Sequence, residues 1–166
     1  MQRGRAWLPD NNRLKSRLTD NVNIDNTRNA CWDGTVNFHR SGGGCRHTGA
    51  IMGVFLHAWG HGLDQNGGSG YDNPPEAYAG IVAFFETRES CTGHGFYTSK
   101  NCSGQGDTCL ECTGMRDQDR DKRELHTPAT PSGFLAENCG GGPFGKEVHC
   151  KGHVAGAASY KVLRNE

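Results

Sequence analysis

Two apolar-periodic segments separated by a glycine run constrain this chain most. Ile51, Val54, Phe55, Leu56, Trp59 and Leu63 recur at helical spacing and predict an amphipathic helix running to about Asn66. Gly67-Gly-Ser-Gly70 stops it, and Asn73-Pro-Pro75 opens a second helix with proline in its first turn. Ala77, Ile81, Phe84 and Phe85 mark the buried side of that helix, which ends near Glu89. A glycine turn lets the second helix fold back on the first.

Shorter signals surround the pair. Residues 1–28 are polar and rich in Asn and Arg, with an alternation around Val22 and Ile24 that predicts an edge strand. Asn29-Ala-Cys-Trp-Asp-Gly34 ends in a turn signal, Thr35-Val-Asn-Phe38 alternates like a short strand, and Ser41-Gly-Gly-Gly44 reads as a flexible loop. Val154 to Leu163 is Ala-rich and helix-prone, with Val154, Ala157, Ala158 and Val162 on one face. Gly is 25 of 166 residues, roughly twice the usual ~7% share, which implies many turns.

Charge excludes two classes of partner. Lys plus Arg is 18 and Asp plus Glu is 18, so neither a nucleic-acid surface nor a polybasic membrane surface is expected. No apolar run approaches the ~20 residues of a membrane-spanning helix. The length suits one domain over residues 1–166, and a monomer is expected.

Cysteine usage is the next constraint. Cys31 and Cys45 lie early, while Cys91, Cys102, Cys109, Cys112, Cys139 and Cys150 flank or lie inside a Gly- and charge-rich stretch, 91–147. That stretch is expected to be an irregular, cross-linked insertion. An oxidising compartment would turn the eight cysteines into disulfides; a reducing one would favour metal or redox chemistry. Pairing Cys31 with Cys45, Cys91 with Cys102, and Cys139 with Cys150 would close short loops, but eight cysteines allow 105 connectivities. Cys109-Leu-Glu-Cys112 could also be a zinc knuckle with Cys102, His94 or His126; a redox pair is disfavoured because no buried strand precedes it. Met1 to Pro9 has no apolar signal-peptide core. The expectation is therefore a fragment or matured part of a longer secreted or periplasmic protein. The run Arg116 to Glu124 alternates in sign and reads as a solvated segment rather than a calcium loop.

The chemistry starts on the first helix. His57-Ala-Trp-Gly-His61 places two imidazoles one helical turn apart on one face. Glu76 comes 15 residues after His61, at the start of the second helix. Two histidines, one carboxylate and an open fourth position form the ligand set of a catalytic zinc.

At these residues the chain resembles the thermolysin-like and fungalysin-like zinc metallopeptidases, the gluzincins. His57-Ala-Trp-Gly-His61-Gly-Leu-Asp64 is similar to their H-E-x-x-H helix, and Glu76-Ala-Tyr-Ala-Gly80 to their E-A-x-S/A-D motif, whose Glu is the third zinc ligand. Asn29-Ala-Cys-Trp-Asp-Gly34 is similar to the N-A-x-W-N-G edge strand that binds the substrate backbone there. Val148-His149 before an Ala-rich helix with Tyr160 resembles the segment that supplies a transition-state histidine. The resemblance spans about residues 29–160. It implies an α+β, zincin-like fold: a small antiparallel sheet edge, a metal-binding helix and crossing helices. It also implies Zn2+ on His57, His61 and Glu76, peptide or protein substrates held by Asn29 and Ala30, and His149 as the oxyanion helper.

Two positions depart from the pattern. The family's general base is Glu, and here that position is Ala58, which has no proton-accepting group. The family's Asp that holds the first zinc histidine in its tautomer is here Gly80. The expectation is a metallopeptidase-like protein with feeble or no hydrolysis. The alternatives are a catalytically dead module that binds zinc and extended peptides, and a disulfide-bonded structural fragment without metal. His39, His47, His94, His126 and His153 are expected at the surface, and Tyr78 in the core.

Overall fold

The computed structural model describes residues 6, 8–67, 75–102, 108–124, 132 and 148–165. Within them the architecture is α+β. A three-stranded sheet of β1 (Asp20–Thr27), β2 (Ala30–Trp32) and β3 (Val36–Arg40) packs on α1 (Met52–Asn66). Helix α1 crosses α2 (Pro75–Thr87), and α2 in turn packs on α3 (Val148–Arg164).

The sheet is mixed rather than antiparallel as expected. Its order is β1-β3-β2, with β3 parallel to β1 and antiparallel to β2. Two chain reversals explain this. Arg28 takes φ 70° and turns the chain back into β2. Asp33-Gly34-Thr35 then closes a hairpin, with Gly34 at φ 105° and Asp33 Oδ1 accepting from the Thr35 backbone N–H at 3.1 Å. After two reversals β3 runs with β1 and slots between the other strands, so β1 and β2 are both edges. The edge strand expected around Val22 and Ile24 is β1.

Helix α1 buries apolar side chains on two faces. One core holds Val36, Phe38, Cys45, Ile51, Val54, Ala58 and Phe96 against the sheet. The other gathers Leu14, Trp59, Leu63 and Val82. The crossing with α2 depends on Gly60, where a Cβ would stand 2.7 Å from the Cα of Ala79. Gly152 plays the same part between α3 and α2, because a Cβ there would come within 3.2 Å of Glu76 Cβ. These close approaches draw α1, α2 and α3 together around the first turn of α2.

The segment after α2 is irregular, as its composition suggests. A two-residue strand, β4 (Cys91–Thr92), pairs antiparallel with β5 (Arg116–Asp117). Disulfides join Cys91 to Cys112 and Cys102 to Cys109. That corrects the short-loop pairing of Cys91 with Cys102: the β4–β5 ladder brings Cys112, not Cys102, back beside Cys91. The pairing of Cys31 with Cys45 is also corrected, since both are free, Cys31 exposed on an edge strand and Cys45 buried in the core. Cys150 is disulfide-bonded, whereas Cys139 lies outside the described residues.

The charged run is the largest departure from expectation. Arg116, Asp117, Gln118, Asp119 and Arg123 are buried, not solvated. The Cys91–Cys112 bridge ties the run to the segment after α2, and some of its polar groups find partners on α2 and α3. Arg123 Nη1 lies 3.1 Å from His153 Nδ1, and Arg164 Nη1 bonds Asp119 Oδ2 at 3.2 Å. His153 and His39 are accordingly buried rather than at the surface, while Tyr78 is exposed instead of in the core. His126 lies outside the described residues.

Candidate metal centre

Helical spacing and a helix crossing bring three expected ligands together. His57 and His61 stand one turn apart on α1, their rings edge to face with centroids 4.8 Å apart. Glu76 sits in the first turn of α2, and the Gly60–Ala79 contact lets that turn reach the imidazoles. His57 Nε2 is 3.1 Å from Glu76 Oε2, and His61 Nε2 is 3.4 Å from Glu76 Oε1. Tetrahedral zinc with ligand bonds of about 2.0–2.1 Å needs donors about 3.3 Å apart, and the two imidazole–carboxylate separations lie close to that. One ligand atom from each of the three residues lies within 4.8 Å of the others.

His149 joins them from the first turn of α3. Its Nε2 is 3.3 Å from Glu76 Oε1, and its side chain is about one-third exposed. The histidine therefore borders the site from the solvent side.

Arg116, which the sequence pattern places in solvent, completes the set. Its buried Nη1 donates to Glu76 Oε2 at 2.8 Å. Burial alone would raise the Glu76 carboxyl. Hydrogen bonds from His57 and His61 and the Arg116 charge outweigh it and hold the group well below the usual carboxylate range. Burial pushes the His57 imidazole down to about 4, against the opposing pull of Glu76. Both groups are thus in their ligating charge states at neutral pH. The cue for Arg116 in the sequence is its place four residues beyond Cys112, since a cross-link tethers the neighbouring stretch of chain.

The two departures have structural consequences. Ala58 is buried in the core beside the sheet and presents only a methyl group. At Gly80 the space beside the backbone is taken by Gln118, whose Nε2 would lie 2.9 Å from an added Cβ. Gln118 donates instead to Thr92 Oγ1 at 3.2 Å. Among the described residues, the buried His57 Nδ1 has no hydrogen-bond partner. Presenting a bare Nε2 to a cation moves the imidazole proton to Nδ1, where no acceptor stands among those residues.

An open groove of about 560 Å³ runs over the site. Ala30, Cys31 and Trp32 of β2 form one wall; His61 and Gln65 of α1, Glu76 and His149 form the others. Asn29 also lines it, with its Oδ1 accepting from the Ala30 backbone N–H at 2.9 Å. Strand β2 is an edge of the sheet, so among the described residues one side of its backbone is without a strand partner. Trp32 is braced by Gln65 Oε1 and by Gly62, where a Cβ would meet the ring at 2.8 Å. No family model, curated protein or solved structure matches this chain.

Proposed function

We propose that this chain is a zincin-like, metallopeptidase-type domain that binds Zn2+ on His57, His61 and Glu76 and takes an extended peptide along β2. The observation that supports this reading most is the convergence of two imidazoles and one carboxylate beside a groove walled by an edge strand, with His61 and Glu76 lining the groove and His57 buried behind them. An edge strand offers backbone donors and acceptors to a peptide added in register. Asn29 and Ala30 would hold that backbone, and His149 would donate to oxygen charge developing on the substrate.

Zinc in such a site makes bound water more acidic and polarises a carbonyl. The residues around it do the rest, and here one is wanting: at position 58 a methyl group stands where a proton acceptor is required. Hydrolysis is therefore feeble, and the domain acts chiefly as a binder of zinc and peptide. The disulfides suit an oxidising compartment, and no described helix is long and apolar enough to cross a membrane. A secreted or periplasmic location accords with both.

The test is the zinc content of the disulfide-bonded protein purified without chelators, beside a His61→Ala control. About one zinc per chain, lost in the control, is expected. A folded parent without zinc would remove the basis of the proposal and leave a disulfide-bonded structural fragment.

A further inference from the structure

A second cluster of metal-ligating groups lies away from the groove. Cys102, Cys109 and Cys112 are buried, with Cys91 packed against them and bonded to Cys112. One sulfur from each of the three buried residues lies within 4.8 Å of the others. The two disulfides are thus one four-sulfur cluster. A tetrathiolate zinc with Zn–S bonds of about 2.3 Å needs sulfurs about 3.8 Å apart, within reach of small side-chain rotations.

The backbone around the sulfurs is laid out to hold them. Cys102 N–H donates to the Cys112 carbonyl at 2.7 Å, and Cys109 N–H to the Cys102 carbonyl at 2.9 Å. In Cys109-Leu-Glu-Cys112-Thr-Gly114 the Gly114 N–H points at Cys112 Sγ from 3.3 Å. A backbone donor aimed at sulfur stabilises thiolate charge, which a disulfide sulfur lacks. Glycine at 114 lets this turn lie against β4, since a Cβ would clash with the Thr92 carbonyl oxygen and stand 2.9 Å from Cys91 Sγ. The buried cluster of this segment is made of these cysteines, with Tyr97 packed against them. A cavity of about 250 Å³ lined by Cys91 and Cys112 gives access from solvent.

We propose that Cys91, Cys102, Cys109 and Cys112, once reduced, form a tetrathiolate zinc site, so that two disulfides and one zinc ion are alternative staples of the same segment. A dithiol reductant performs the exchange. One of its thiolates attacks a disulfide sulfur, breaking the S–S bond and forming a mixed disulfide. Its second thiol then closes the reductant's own disulfide and frees the remaining cysteine. Each protein disulfide takes up two electrons and two protons, and each dithiol gives up the same. Zinc then displaces four protons from the four thiols and forms four Zn–S bonds.

The experiment uses the full chain carrying His61→Ala, which disables the groove site, reduced with a dithiol and desalted without oxygen. Cobalt(II) is titrated in, with absorption and circular dichroism recorded. Near-ultraviolet thiolate-to-cobalt bands with intense visible d–d bands, saturating at about one ion per chain and bleached by zinc, are expected. The oxidised protein should give neither, Cys109→Ser should lose them, and Cys31→Ser should keep them. Reduced protein with its thiols counted and no thiolate bands, folded or unfolded, would overturn the proposal. So would bands that vanish in Cys31→Ser but persist in Cys109→Ser. An imidazole–carboxylate site gives no thiolate bands, so failure here is separate from failure at the groove.

Discussion

Arg116 Nη1 lies 2.8 Å from Glu76 Oε2, both groups buried, although the residues are 40 apart in the chain. The guanidinium arrives on β5, which pairs with β4 and is tied beneath α2 by the Cys91–Cys112 bridge. In the metal-free fold it sets a buried positive charge directly against the third candidate ligand.

Replacing Arg116 with methionine should therefore destabilise the metal-free protein by about 3–5 kcal/mol, the range for breaking one partner out of a buried pair. A divalent cation can take over the neutralisation of Glu76. Adding zinc should raise the denaturant midpoint more in Arg116→Met than in the parent. Equal zinc-induced shifts would show that Arg116 packs against Glu76 without competing for its charge.

On the proposed reading, Ala58→Glu places a proton acceptor beside His57. With zinc bound, hydrolysis of a fluorogenic peptide should rise by about 10²–10⁴, and a chelator should abolish it. Adding Gly80→Asp supplies the carboxylate that the proposed zincin-like reading puts behind His57 Nδ1, and should contribute a further ~10–100-fold in zinc affinity or rate. A Cβ at position 80 meets the buried Gln118 side chain, which must shift to admit it. No hydrolysis by a folded, zinc-loaded double variant would leave peptide binding as the activity.

Acid should weaken the metal-free fold from near-neutral pH. Burial, then the charges of Arg123, Arg116 and His149, hold the His153 imidazole well below its ordinary 6.5. The unfolded chain takes up that proton near 6.5 while the folded one resists. Stability is therefore full above that pH and falls as pH drops through the window below it. The slope per such histidine is at most ~1.4 kcal/mol per pH unit. His57, lowered to about 4, adds to it with the same sign. Urea midpoints recorded from about pH 7 to pH 5 should decline, and His153→Gln should flatten the decline by one proton. An unchanged slope would mean that His153 is protonated in the fold.

Cys31 offers a probe of the groove wall. It is exposed on β2, and partial burial together with the Asp33 charge raises its thiol above the ordinary value. Iodoacetamide should label Cys31 and spare buried Cys45 in the native protein. Asp33→Asn removes the nearby negative charge, lowers the thiol pKa and should speed labelling at slightly alkaline pH. A rate that is unchanged or slower would place burial alone in control.

The helix pair and its ligands were legible because they rest on local rules. Periodicity at 3.6 residues marks α1, a proline marks the start of α2, and a four-residue interval sets His57 and His61 on one face whatever else the chain does. That Ala58 offers no proton acceptor was equally plain, since a methyl group takes no proton in any fold. Strand direction was not legible: β1 and β3 became parallel through two turns whose combined sense depends on which strand ends up in the middle. Nor could short loops choose among disulfides, because the pairing of β4 with β5 decided which sulfurs met.

Arg116 to Arg123 marks the division between the two kinds of information. The sequence by itself determined how many charges the run carries, and by composition such a run belongs in water. Burial of a charge costs several kcal/mol unless partners stand ready, and only the tertiary structure brings those partners from elsewhere in the chain. Glu76 comes from α2, and His153 and Arg164 come from α3. The ligands of the candidate metal centre were thus written locally, while the groups that hold and charge-balance them were decided by packing.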